Sequence, residues 1–175
     1  LLKIIHHIHA NPFATYQSHS EQEILQSTQR KNLIQILNDK WNGKDRDLKV
    51  LLTNNALSDI IGRTAYTRLA RLTGGTHDTI LLRRCAEHNN VIKFHTDESY
   101  KTLQVPLNNE SEYEGGKLVY ITTDRGNAAT LHFPKRPAGS FTLHRNDIAH
   151  GVTRLVAGVR YGLFLLQKKE AKRES

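Results

Sequence analysis

Short alternations of apolar and polar residues dominate the second half of this chain. Five runs of four to nine residues are rich in β-branched, aromatic and aliphatic side chains, namely 91–94, 100–107, 117–122, 140–143 and 158–166. Runs of this length and composition predict β-strands. Within 100–107, alternation places Thr102 and Gln104 on one face of the strand, and Leu103 and Val105 on the other.

Turn-forming residues separate these runs. Glu114-Gly115-Gly116 precedes the run at 117–122, and Asn146-Asp147 precedes Ile148-Ala149-His150. A further apolar segment, 79–85, leads into the whole group. Many short strands with turn signals between them favour a double-sheet jelly roll, that is, a double-stranded β-helix.

The first half of the chain has a helical period instead. Ser20 and Glu23 form a capping-box pattern that predicts a helix to about Asp39. After a strand at 48–53, a second helix is predicted from Asn54 or Asn55 to about residue 72, ended by Gly74-Gly75. Each helix has an apolar stripe that can pack on a sheet. The sequence therefore predicts an α+β, mainly β fold, with a jelly-roll core braced by N-terminal helices.

The length of 175 residues indicates one domain with a sizeable core. We divide it into helical support (1–78), a jelly roll (79–167) and a basic tail (168–175). The segment 133–137, with prolines at both ends of Pro134-Lys135-Arg136-Pro137, predicts a surface loop.

The chain is basic, with a net charge of +8 and a pI of about 9.7. The charges are dispersed and no nucleic-acid-binding motif accompanies them, so nucleic acid is not indicated as a partner. No apolar run reaches the roughly 18 residues of a membrane span. Cys85 is the single cysteine, which excludes an intrachain disulfide. Together with the lack of a convincing signal peptide, this favours the cytoplasm.

Candidate chemistry lies in the jelly-roll half. His95 and Asp97 are two residues apart at the end of a predicted strand, so both can face one metal ion. His150 follows at the end of another apolar run, and Arg160 comes ten residues later. Two imidazoles and one carboxylate on one face of an ion suit a non-haem Fe(II) that keeps positions free for O2 and a co-substrate.

Each of these residues also has a purely structural explanation. His95 could be a strand-end histidine, Asp97 a turn cap, His150 a turn residue, and Arg160 a surface cation. The ordered combination of all four favours the metal site over four unrelated structural roles.

The segments HTDESYKTLQVPLN, YEGGKLVYI and PAGSFTLHRNDIAHGVTRLVAGVRYGLFLL together resemble the catalytic domain of Fe(II)/2-oxoglutarate-dependent dioxygenases. They are most similar to the branch of prolyl 4-hydroxylases and procollagen lysyl hydroxylases. The resemblance covers roughly residues 80–167. It implies that His95, Asp97 and His150 bind iron and that Arg160 holds the distal carboxylate of 2-oxoglutarate, for which a planar guanidinium is suited.

The same resemblance places Gln104 and Thr102 along the co-substrate pocket. The resemblance is weaker on the strand before His95-Thr96-Asp97, the HxD motif of this family. Prolyl hydroxylases carry a tyrosine on that strand, whereas this chain has Arg83-Arg84-Cys85-Ala86. The second hydrogen bond to 2-oxoglutarate is therefore unassigned. Alternation sends Arg83 and Arg84 to opposite faces. The inward one could touch a substrate, or could pair with an acidic residue such as Glu98.

The activity that the resemblance implies is Fe(II)-dependent hydroxylation of a side chain, in which O2 and 2-oxoglutarate are consumed to give succinate and CO2, with ascorbate as a stimulant. A prolyl or lysyl side chain of a protein or peptide is the favoured substrate. A small molecule or free amino acid is the alternative within the class. A non-catalytic jelly roll that binds an acidic protein or a nucleic acid through its basic surface is the alternative outside it.

Overall fold

The computed structural model describes residues 16–88, 91–123 and 128–168. Within these ranges lie eleven β-strands, three α-helices and a short 3-10 helix at Glu110–Glu112. The strands are β1 (Tyr16–His19), β2 (Asp47–Leu52), β3 (Thr79–His88), β4 (Ile92–His95), β5 (Lys101–Pro106), β6 (Tyr113–Gly115), β7 (Leu118–Thr123), β8 (Ala129–His132), β9 (Phe141–Arg145), β10 (Ala149–Val152) and β11 (Leu155–Gln167). The helices are α1 (Ser27–Lys40), α2 (Asn54–Ile61) and α3 (Arg63–Thr73).

The strands form two antiparallel sheets. The larger, seven-stranded sheet has the order β1-β9-β5-β11-β3-β2, with β6 also paired to β11. The smaller sheet has the order β4-β10-β7-β8. Side chains of both sheets line a common interior. The predicted mainly β jelly roll with bracing helices is confirmed.

The helices cover the outer face of the larger sheet. Leu33 of α1, Leu57 of α2 and Leu69 of α3 are fully buried in one cluster with leucines of the sheet, including Leu103 and Leu163. Because side chains alternate along a strand, the neighbours of these leucines point to the opposite face, towards the smaller sheet. This places Thr102 and Gln104 in the interior, as the strand pattern predicted.

The first helix begins later than the sequence pattern indicated. Ile24 and Leu25 are buried, but their backbone N–H groups donate to the carbonyl oxygen of Gly139, at 2.8 and 3.3 Å. Hydrogen bonding to a distant loop replaces the first helical turn, so α1 starts at Ser27 and the predicted capping box of Ser20 and Glu23 is wrong.

The second predicted helix is two helices. Gly62 has φ +84°, a conformation that breaks the helix and favours glycine, and it separates α2 from α3. Thr53, rather than either asparagine, caps α2 because its hydroxyl accepts the N–H of Ala56 at 3.1 Å. The predicted end holds, with Gly74 in the left-handed region at φ +95°.

Two further features differ from the sequence reading. The segment taken as helical support adds β1, which the sequence pattern did not indicate, to the larger sheet, besides the predicted strand at 48–53 that forms β2. The segment 133–137 is not wholly a surface loop, because the Arg136 side chain is buried while Phe133 is exposed. Just after this segment, the backbone N–H of Gly139 donates a hydrogen bond to the carbonyl oxygen of Pro106 in β5, at 2.8 Å. The tail after residue 168 lies outside the described residues.

No helix among the described residues is both long enough and apolar enough to cross a membrane.

Candidate active site

Strand pairing brings the two predicted imidazoles together. His95 ends β4 and His150 lies in β10, and the two residues are direct partners in the β4–β10 ladder. Asp97 follows two residues after His95, in the loop that leaves β4. One potential ligand atom from each of the three lies within 4.8 Å of the other two, so they could hold a metal ion.

The ring nitrogens are arranged for metal binding. Asp97 Oδ1 is 3.6 Å from Nε2 of His95 and 3.6 Å from Nε2 of His150. The other ring nitrogen, Nδ1, faces a backbone carbonyl in both cases, that of Lys93 at 2.8 Å and that of Ile148 at 3.4 Å. A proton on Nδ1 bonded to a carbonyl leaves the Nε2 lone pair free for a metal.

Burial and neighbouring charges set the protonation states. Burial would raise the pKa of Asp97, but hydrogen bonds from His144 and His95 and the nearby His150 hold it well below its usual range. Burial, helped by His144, lowers the pKa of His150 to about 4. The adjacent Asp97 carboxylate raises the pKa of His95 despite partial burial. At neutral pH the site therefore offers an ionised carboxylate and a neutral His150, the forms that bind metals.

The three residues differ in exposure. The His150 side chain is 5% exposed and that of Asp97 is 16% exposed, whereas that of His95 is 45% exposed. The site therefore opens to solvent on the His95 side.

A cavity of about 170 Å³ adjoins these residues. All six residues that the sequence singled out line it: His95, Asp97, Thr102, Gln104, His150 and Arg160. Apolar side chains of both sheets, among them Leu81, Leu118 and Phe164, complete the wall. The hydroxyl of Thr102 donates to Asp97 Oδ2 at 2.5 Å, so this residue also fixes the carboxylate.

Arg160 is a buried cation in this wall. It lies in β11, it is 7% exposed, and no carboxylate of the described chain forms an ion pair with it. A buried guanidinium is costly unless an anion compensates it. The cavity therefore suits a ligand with a carboxylate at the Arg160 end.

The two arginines before the HxD motif do point to opposite faces. Arg83 lines the cavity and donates through Nε and Nη2 to the Asp47 carboxylate, at 2.7 and 2.9 Å. Its acidic partner is thus Asp47 of the neighbouring strand β2 and not Glu98. Arg84 lies on the helix side of the sheet, with its guanidinium 3.9 Å from the ring centre of Trp41.

Sequence reasoning missed three buried polar residues near the site. His144 lies at the end of β9 with Nε2 3.0 Å from Asp97 Oδ2, and Tyr120 bonds His144 Nδ1 at 2.9 Å. Burial raises the pKa of Tyr120 to about 12, so its hydroxyl stays protonated at neutral pH. Extending the predicted strand at 140–143 by one residue would have put His144 on the inward face. Its contact with Asp97 had no sequence signal.

The third residue is Arg136. It is 3% exposed, and its Nε has no hydrogen-bond acceptor among the described residues. Burial, together with the charge of Arg160, lowers its pKa to about 10. Two buried guanidiniums therefore raise the electrostatic potential at the same end of the core, which further favours an anionic ligand.

The sequence matches no protein-family model and no curated protein. Solved structures are nevertheless similar in three dimensions. An oxidoreductase of the 2OG-Fe(II) oxygenase family from Burkholderia pseudomallei matches over 69% of this chain and 64% of its own length, with a TM-score of 0.50 and 14% identity. This chain thus spans somewhat less than two thirds of that protein.

Two other structures match over nearly the whole chain. HygX from Streptomyces hygroscopicus, with nickel, 2-oxoglutarate and hygromycin B bound, covers 93% of this chain and 86% of its own, with a TM-score of 0.61 and 14% identity. A prolyl hydroxylase from Trichoplax adhaerens, in complex with a peptide of hypoxia inducible factor, covers 95% and 88%, with a TM-score of 0.59 and 11% identity. The chain has the fold of the 2OG-Fe(II) oxygenases. This agrees with the family resemblance of the sequence.

Proposed function

We propose that this protein is an Fe(II)- and 2-oxoglutarate-dependent dioxygenase. It hydroxylates a prolyl or lysyl side chain of a protein or peptide and releases succinate and CO2. One observation carries the proposal: two imidazoles, one carboxylate and a buried arginine that pairs with no carboxylate of the described residues line the same small cavity.

The residues present fit an iron ion. His95, Asp97 and His150 would hold it from one side, as two imidazoles and a carboxylate do in non-haem Fe(II) oxygenases. Bound iron supplies the activation of O2 that is coupled to decarboxylation of the co-substrate. The chain contributes the orientation of the ligands and, through the apolar wall of the cavity, the exclusion of water.

The cavity also fits 2-oxoglutarate. Arg160 offers a planar guanidinium that no described carboxylate occupies, and Arg136 adds a second buried positive charge nearby. Gln104 lines the cavity and is 4% exposed, so its amide is available to a bound acid rather than to solvent. A volume of about 170 Å³ lies below the roughly 300–1,000 Å³ of pockets that enclose drug-sized ligands, so a small acid is the expected occupant.

The size of the cavity bears on the substrate. If 2-oxoglutarate fills the interior, the substrate must approach the metal ligands from the open side, where His95 is exposed. A side chain presented by a larger molecule suits this approach. The similar prolyl hydroxylase from Trichoplax adhaerens was solved with a peptide, which supports a peptide or protein substrate here.

A small-molecule substrate is the second candidate. HygX, similar in fold over most of the chain, was solved with hygromycin B bound. Such a molecule could occupy the same open side. A non-catalytic binding module is less favoured, because such a module has no need of a complete ligand set beside an arginine that no described carboxylate neutralises.

Succinate production tests the proposal. The protein is supplied with Fe(II), 2-oxoglutarate, ascorbate and air, and succinate is measured for the wild type and for Asp97→Ala and His150→Ala. We expect turnover in the wild type and in neither of these two variants. Asp59→Ala, an exposed carboxylate in α2, is the matched control and should retain turnover.

Binding provides the second readout. Anaerobic titration of the Fe(II)-loaded protein with 2-oxoglutarate should show saturable binding. A wild-type protein that forms no succinate and binds no 2-oxoglutarate would refute the proposed class. With the class established, peptides containing proline or lysine and a panel of small molecules are screened by mass spectrometry for the gain of one oxygen atom.

A further inference from the structure

His144 lies directly behind the proposed metal ligands. Its side chain is fully buried, and both ring nitrogens have a partner. Nε2 is 3.0 Å from Asp97 Oδ2, and Nδ1 is 2.9 Å from the hydroxyl of Tyr120. A neutral imidazole has one donor and one acceptor nitrogen. The arrangement is satisfied when Tyr120 donates its O–H to Nδ1 and His144 donates its Nε2–H to the carboxylate.

The two oxygens of Asp97 therefore have different surroundings. Oδ2 accepts hydrogen bonds from Thr102, at 2.5 Å, and from His144, at 3.0 Å. Oδ1 instead faces the Nε2 atoms of His95 and His150, each 3.6 Å away. One oxygen is anchored to the protein interior, and the other lies among the proposed ligand nitrogens.

We infer that His144 is a positioning residue that presents only Oδ1 of Asp97 to the metal. A carboxylate without these donors could turn and offer both oxygens to one ion, which would occupy a coordination position needed for O2 or 2-oxoglutarate. His144 thus acts through Asp97 and not through contact with substrate. The inference rests on the metal centre of the proposed function.

The support for His144 extends to the N-terminal strand. Tyr16 of β1 is the register partner of His144 in β9, and its ring stacks on that of Tyr120 with centroids 4.2 Å apart. Tyr120 is fully buried. Packing of these two rings holds the Tyr120 hydroxyl, which fixes the tautomer of His144. Tyr16 of β1 therefore helps to orient the Asp97 carboxylate.

The geometry argues against His144 as a fourth ligand. Its Nε2 faces the anchored oxygen Oδ2, and its other nitrogen is occupied by Tyr120. The three-residue grouping that could hold an ion comprises His95, Asp97 and His150. Since His144 and His150 have ring centroids 4.4 Å apart, however, the experiment must separate the two roles.

Co(II) titration tests the inference without any need for turnover. The Co(II) affinity and the visible absorption spectrum are measured for the wild type, His144→Leu and His144→Gln. We expect His144→Leu to bind Co(II) roughly 10- to 100-fold more weakly, which is the usual effect of removing a partner of a ligand. Its spectrum should change in intensity, because the intensity of the Co(II) bands depends on the coordination number.

His144→Gln keeps a side-chain N–H that can donate to Asp97 Oδ2. We expect it to bind Co(II) more tightly than His144→Leu and to retain the wild-type spectrum. Tyr120→Phe, which removes the donor to Nδ1, should weaken binding less than His144→Leu. His77→Phe, between α3 and β3, where the ring contacts Thr73 and Tyr66 of α3, is the control and should match the wild type. Circular dichroism and melting temperature establish that each variant is folded.

Three results would overturn the inference. A folded His144→Leu with wild-type affinity and spectrum would show that His144 does not position the carboxylate. Equal losses in His144→Leu and His144→Gln, with equal spectral changes, would indicate direct metal ligation or ring packing instead. A wild type that binds no Co(II) would remove the metal centre and the inference together. A wild type that binds Co(II) but forms no succinate would count against the proposed activity alone.

Discussion

Replacing Arg160 by glutamine removes a buried cation from the proposed co-substrate cavity while it keeps a polar side chain. In the ligand-free protein, Arg160 is 7% exposed and forms no ion pair with any described carboxylate. The substitution therefore breaks no ion pair among the residues that the structure describes. It removes the only arginine that lines the cavity without an acidic partner among the described residues, since Arg83 is bonded to Asp47.

The expected loss of affinity follows from the bonds that a guanidinium makes. A hydrogen bond to a charged group contributes about 1.5–3 kcal/mol, and a carboxylate can accept two such bonds from one arginine. A net loss of about 3 kcal/mol corresponds to a roughly 100-fold weaker complex. Arg160→Lys keeps the charge but loses the planar fork, so an intermediate affinity is expected.

The stability of Arg160→Gln should not fall along with its affinity for 2-oxoglutarate. An unpaired buried charge is unfavourable in the folded state, so its removal should leave the melting temperature of the ligand-free protein unchanged or raise it. A purely structural arginine would give the reverse, with lower stability and unchanged ligand binding.

The assay is anaerobic titration of 2-oxoglutarate into the Fe(II)-loaded variants, with the KM for 2-oxoglutarate in the succinate assay as a second measure. Arg63→Gln, an exposed arginine at the start of α3, is the control. The reasoning would be wrong if Arg160→Gln bound 2-oxoglutarate as the wild type does, or if its ligand-free melting temperature fell sharply.

Three further predictions follow from particular contacts. In Gly151→Ala, the added Cβ would lie 2.8 Å from the carbonyl oxygen of Ile92, so β4 and β10 must move apart. We expect the free energy of unfolding, measured in urea, to fall by about 1–3 kcal/mol and Co(II) to bind more weakly. An unchanged Co(II) affinity would contradict this prediction. Leu82→Ala, at a fully buried site under the helices, should lower the free energy of unfolding in urea by about 2–5 kcal/mol. The metal affinity of the folded protein should be preserved. A loss of stability below about 1 kcal/mol would count against this description of the core. Burial lowers the pKa of His77 below its ordinary value of 6.5, with a smaller opposing effect of Asp78. His77 therefore takes up a proton more readily in the unfolded state, so the free energy of unfolding should fall as the pH drops below about 6.5. Urea unfolding measured from about pH 8 to about pH 5 should show a smaller fall for His77→Phe than for the wild type.

Local periodicity predicted the parts of the site that depend on single strands. The alternation along 100–107 predicted Thr102 and Gln104 on one face, and both line the cavity in the structure. This works because the orientation of a side chain on a strand depends on its own position, whatever the partner strand.

Distant hydrogen bonds decided the element boundaries that the sequence pattern placed wrongly. The start of α1 depends on Gly139, whose carbonyl takes the N–H groups of Ile24 and Leu25. Arg136 lies between two prolines and resembles a loop residue in the sequence, yet its side chain is buried. Nearby, the backbone N–H of Gly139 donates to the carbonyl oxygen of Pro106 in β5, which holds this part of the chain against the sheet. No local pattern in the sequence contains either contact.

By itself, then, the sequence determined the jelly-roll class, the candidate ligands and the inward face of β5, since these follow from residue type and spacing along the chain. Only the tertiary structure decided that His150 pairs with His95 across two strands, that Asp47 neutralises Arg83, and that His144 meets Asp97. Each of these contacts joins residues on different strands. Their proximity depends on the order and register of strands in the two sheets, which are set by the packing of the whole core rather than by any segment of it.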